Sequence, residues 1–165
     1  MTETDFLSLL NRIDFPRRYW ELCDRVHSTP SGHANLGRKA DILAAFAEAG
    51  VTARYDSRDR SFEFEEELIG GLTWSGLFVK QRHGVELMIF GTSKDATVGS
   101  NFAVLAYNAK RLADPDFERS PFGGGPPPYP RPAPDSDAAA MREVVKQHVD
   151  LVRMIKDELR QQPTA

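Results

Sequence analysis

Val51–Phe90 reads VTARYDSRDRSFEFEEELIGGLTWSGLFVKQRHGVELMIF, and its period of two decides the fold class. Val51, Ala53 and Tyr55 alternate with Thr52 and Arg54, and after the polar turn Asp56–Arg60, Phe62 and Phe64 alternate with Glu63, Glu65 and Glu67. Gly70-Gly71 breaks the chain, and Leu72–Gln81 and Val85–Phe90 follow as two further strands joined through Arg82-His83-Gly84. The pattern predicts a four-stranded antiparallel meander with one dry and one wet face. Its last strand puts Val85, Leu87 and Ile89 on one side but Met88 and Phe90 on the other, so the second face also needs cover.

Outside this stretch the apolar spacing becomes helical. Phe6, Leu7, Leu9 and Leu10 predict a short helix over Thr4–Asn11, and Pro16 starts a second through Tyr19, Trp20, Cys23, Val26 and His27, ended by Ser28–Pro30. A third runs from an Asn35 cap through Ile42, Leu43, Phe46 and Ala49 to a left-handed Gly50, and a fourth from a Ser100 cap through Phe102, Leu105, Ala106, Ala109 and Leu112 to Asp114-Pro115. The segment SPFGGGPPPYPRPAPDSD, Ser120–Asp137, can neither continue a helix nor donate to a sheet ladder. Beyond it, Met141, Val145, His148, Val152, Ile155 and Leu159 step by four and three along one long helix. The reading is a single α+β domain: a body over 1–114, a Pro/Gly-rich strap over 115–136 and a C-terminal helix over 137–162.

Composition bounds the function. The 165 residues are 41% hydrophobic and 27% charged, with a formal charge of −3 and a pI near 5.8. That balance offers no general attraction to nucleic acid or an anionic membrane, and the basic pairs at 17–18, 38–39 and 110–111 form no stripe. No apolar run approaches the roughly 20 residues that span a bilayer. One cysteine and an N-terminus without a signal-peptide pattern predict a cytoplasmic protein, and fifteen arginines against six lysines point to a bacterial source.

Chemistry-bearing motifs are few. Glu63, Glu65 and Glu67 are expected on one wet strand face about 6–7 Å apart, where they form either a solvated, aggregation-resistant face or a docking field for a basic partner. Trp74 reads as a sheet-core anchor, or as a contact point if exposed, and Met88, Phe90 and Tyr129 are the other candidate apolar anchors. Pro126-Pro127-Pro128-Tyr129 matches a short WW-domain ligand pattern, but a structural strap pinned by Phe122 and Tyr129 is the preferred reading. Cys23 and His27 share a helix face at i, i+4, and Ser28–His33 is a polar loop before a helix, so Cys23, His27 and His33 define an alternative ligand or enzyme site. No phosphate-loop, dinucleotide, hydrolase-elbow or zinc signature accompanies them, and neither a metal nor a cofactor is expected.

The expected function is therefore non-catalytic protein binding. An immunity-type inhibitor that neutralises a cognate, possibly basic, toxin or effector leads, with a secretion chaperone as one alternative. A dimeric adaptor that pairs through the C-terminal helix is the other, although Val144, Val149 and Leu151 widen the apolar band towards core packing.

Overall fold

The computed structural model describes residues 1–26, 38–81, 84–117, 131–134 and 138–162. Five helices and five strands follow in the order α1 Glu3–Arg12, α2 Phe15–Arg25, α3 Lys39–Glu48, β1 Arg54–Asp56, β2 Ser61–Ile69, β3 Leu72–Gln81, β4 Gly84–Thr92, β5 Thr97–Asn101, α4 Phe102–Ala113 and α5 Ala138–Arg160. The sheet is antiparallel throughout, in the order β1-β2-β3-β4-β5. The α+β class and the meander are as expected, but there are five strands rather than four. The additional strand, β5, is short, contains Gly99, and has Val98 as its buried apolar side chain, so its sequence carries little alternation.

Local chemistry explains the element ends. Thr2 and Asp5 form a capping box at the start of α1, with the Asp5 amide donating to the Thr2 hydroxyl and the Thr2 amide to the Asp5 carboxylate. The cap of α4 is Asn101 rather than Ser100: its Oδ1 accepts from the Val104 amide at 3.0 Å. The expected Asn35 cap lies outside the described residues, and α3 begins at Lys39. That helix closes as expected at Gly50, where the Gly50 amide donates to the Ala47 carbonyl and the Val51 amide to the Phe46 carbonyl. Between β2 and β3, Gly70 and Gly71 both adopt positive φ, 59° and 79°, which a two-residue hairpin of the favoured twist requires.

Every helix that meets the sheet packs on one face. That face presents Phe62, Phe64, Trp74, Phe78, Val85, Leu87, Ile89 and Val98, all buried. Trp74 meets Phe6 of α1 at 5.1 Å, and Phe102 of α4 packs edge-on against Phe15 and Tyr19 of α2. Gly76 leaves room for the Phe64 ring: a Cβ there would lie 2.6 Å from it. Helix α5 closes this core with Val144, Val145, Val149, Val152, Ile155 and Leu159. The step-of-four-and-three seam is thus an internal packing surface, not a face left for pairing with a second copy. Arg153 secures the helix by donating to the Ala49 and Gly50 carbonyls at the end of α3.

Residues 131–134 run beside the first half of β4, beyond the reach of β5. The Val85 amide donates to the Pro132 carbonyl and the Ala133 amide to the Val26 carbonyl, each at 2.9 Å. Residues 131–134 of the predicted strap are therefore tied into the fold, while 118–130, with the expected Phe122 and Tyr129 pins, and 135–136 lie outside the described residues.

Candidate functional site

Alternation in β3 and β4 sorts their side chains onto two faces. With Trp74, Phe78, Leu87 and Ile89 turned to the helices, Ser75, Leu77, Val79, Met88 and Phe90 turn to the other side. The register places Leu77 opposite Met88, Val79 opposite Glu86 and Ser75 opposite Phe90. Among these cross-strand neighbours, Leu77, Val79, Met88 and Phe90 form one apolar band of partly exposed side chains. On β2, Leu68 joins the same face opposite Thr73 and is 72% exposed. No described helix packs on this face.

Its rim is charged and internally paired. Arg54 and Glu63, opposite each other across β1 and β2, form an ion pair, and Arg131 reaches Glu86 at 3.0 Å. Three strands of nine or ten residues, with β1 and β5 alongside, span roughly 20 Å by 30 Å at ~4.8 Å between strands and ~3.3 Å per residue. That footprint of at most ~600 Å² is below the ~800 Å² which each partner gives to a standard stable interface, so rim and loop residues would have to contribute the remainder.

The candidate acidic row does not exist as a row. Between Phe64 and Glu67 the β2–β3 register slips, so that Glu65 and Glu66 together oppose Ser75. Glu65 adopts a left-handed backbone, φ 61°, making a β-bulge that rotates everything after it. Only Glu63 stays on the outer face. Glu65 turns to α5, 3.3 Å from Arg153 and 4.0 Å from the Lys156 ammonium. Glu67 shares the helix side with its partner Trp74 and is hydrogen-bonded by Arg160, which holds its carboxyl below the usual range. A signal for the bulge is present in the sequence: strict alternation from Phe62 and Phe64 would drive Glu66 into the dry face.

The other candidates separate similarly. Trp74 is fully buried, and its indole N–H donates to the Ile69 carbonyl at 3.2 Å, so it is a core anchor and not a surface contact. Met88 and Phe90 lie on the outer face as expected; Tyr129 lies outside the described residues. Cys23 is 4% exposed beside Tyr19, whose phenol is pushed well up by burial. A thiol so enclosed is no accessible nucleophile. His27, His33 and His83 lie outside the described residues, and among the described ones no group of three His, Cys, Asp or Glu side chains is placed to hold a metal ion.

Sequence reasoning missed a trough of about 510 Å³ between α3 and α5, with Ala45 and Ala49 at its base. Arg142, Lys146 and Arg153 line it together with Glu48, Glu143 and Asp150. Its charges balance, and alanines on the facing helices create the space. Among the described residues no helix is long and apolar enough to cross a membrane. No protein-family model, no curated protein and no solved structure matches the chain.

Proposed function

We propose that this chain is a non-catalytic protein-binding protein that docks its partner on the face of the sheet on which no described helix packs. The observation that carries the reading is the confinement of the described helices to one side, with Leu77, Val79, Met88 and Phe90 grouped by register on the other. Docking a complementary protein surface there would remove the band from water, at about 25 cal/mol per Å² of apolar area, while the paired rim charges set orientation. Among the expected acids, Glu63 belongs to this face; Glu65 and Glu67 serve the chain's own helix.

The finer reading is an immunity-type inhibitor that neutralises a cognate toxin or effector by stoichiometric binding, with a secretion chaperone as the alternative. In this reading the protein works in a bacterial cytoplasm, where its single thiol stays reduced. The steering of a basic partner rests on Glu63, the exposed Glu66 and the net charge of −3.

The test compares parallel captures from lysate of the native source with the intact protein, with Met88→Asp and with Glu67→Gln, followed by reconstitution from purified components. One protein recovered in stoichiometric amount, lost with Met88→Asp, kept with Glu67→Gln and re-forming a one-to-one complex, supports the reading. A partner that binds Met88→Asp as well as it binds the unmodified chain removes the outer face from it.

A further inference from the structure

Helix α5 carries an imidazole into the centre of the fold. His148 is fully buried. Phe64 of β2 and Phe102 of α4 stand edge-on to it, each at 5.1 Å, and Phe78 of β3 lies at 5.9 Å. Neither ring nitrogen has a hydrogen-bond partner; the Met88 carbonyl of β4 faces the ring without completing a bond of ordinary geometry. No charged side chain among the described residues acts on it. Four elements therefore enclose a ring that is closed to solvent and has no charged partner among the described residues, an environment that favours neutral imidazole over imidazolium.

Two turns further on the same helix face, Lys156 is 1% exposed and its ammonium lacks a hydrogen bond. Glu65, Glu66 and Glu67 of β2 attract it, and Arg160 of its own helix opposes it. The rest of the core has contacts of its own. Phe6 holds Trp74, Phe102 locks onto Phe15 and Tyr19, and the Asn11 amide donates to the Ala109 carbonyl, all without α5.

We propose that the buried face of α5 is an acid-operated latch: protonation of His148 releases Ala138–Arg160 from the sheet while the sheet remains folded, exposing Met141, Val145, Val152, Ile155 and Leu159. Only the released state accepts the proton, so acid populates it by mass action. Between pH 7.5 and 5 the Glu67 carboxylate, held below its ordinary range by Arg160, stays ionised. Over that window the latch isolates the histidine.

Hydrogen exchange of the full chain, corrected for the intrinsic effect of pH, reads the latch directly. Protection across 138–160 should fall about thirtyfold between pH 7.5 and 5, the factor for one histidine that titrates near 6.5 only when released. The amides of β3 and β4 should hold, and in His148→Leu the α5 amides should lose this dependence, which also controls for the other histidines. The latch is overturned by an α5 whose protection does not fall between pH 7.5 and 5, by α5 and sheet losing protection in one step, or by His148→Leu keeping the wild-type pH dependence. If His148→Leu does not fold, the wild-type imidazole resonance decides: a ring neutral at pH 5 in the closed state supports the latch, and a closed-state titration near 6.5 with α5 still protected overturns it.

Discussion

The chain carries two apolar stripes with opposite fates. Along α5, Met141, Val145, Val152, Ile155 and Leu159 are buried, on the helix whose His148 meets Phe64, Phe78 and Phe102. Across β3 and β4, Leu77, Val79, Met88 and Phe90 face away from every described helix and remain partly exposed. Periodicity reveals the first stripe and, of the second, Met88 and Phe90. It does not reveal what lies opposite, because that depends on which side of the sheet the helices choose.

The comparison breaks most sharply under inserted charge. Ile155→Asp places a carboxylate in the closed stripe and should cost more than about 4 kcal/mol, with loss of α5 protection, because the position is fully buried and no basic residue lies one helical turn away. Met88→Asp places the same group on the outer stripe and should cost under about 1 kcal/mol. Chemical denaturation checks both, and equal costs would erase the distinction between the stripes.

Acid tests the closed stripe through His148. Burial holds its imidazole neutral in the folded protein, with the pKa pushed down to about 3 from an ordinary 6.5. Above pH 6.5 neither state is charged and nothing is lost. Below it the unfolded chain takes up a proton that the folded one refuses, so stability falls by ~1.4 kcal/mol per pH unit, approaching ~5 kcal/mol near pH 3. Between pH 7 and 5 the loss should be about 2 kcal/mol, and in His148→Leu the slope over that window should flatten.

The two arms of β2 supply a smaller contrast. Glu65→Ala strips the nearest carboxylate from the buried Lys156 and should cost about 1–3 kcal/mol, whereas Lys156→Met should be neutral or stabilising, since an apolar chain needs no counter-charge there. Glu63→Ala removes a partner from the exposed Arg54 and should leave stability almost unchanged, because solvent screens the pair. Thermal unfolding of the three variants at one pH ranks them. A Glu63 effect as large as that of Glu65 would restore the acidic row that the bulge abolishes.

These contrasts also mark what the sequence discloses. Helices and central strands are legible because Phe62, Trp74, Phe78, Ile42 and Phe46 repeat at the periods of their elements. Strand β5 is not, because Thr97–Asn101 holds Val98 next to Gly99 and is placed by pairing with β4. The Glu65 bulge hides inside an alternation that continues in letters after it has stopped in space. Of the candidate site, Met88 and Phe90 were legible as surplus apolar residues on a second face. Leu77 and Val79 join them only once the register is known.

Mild peroxide oxidation of the free protein, followed residue by residue by mass spectrometry, sets the two stripes against each other in one tube. Met141 is 3% exposed within α5, and Met88 is partly exposed on the outer face. At pH 7.5 the account predicts Met88 sulfoxide forming well ahead of Met141 sulfoxide. Met141 reacting as fast as Met88, or faster, would contradict the assignment of a closed helical stripe and an open sheet face.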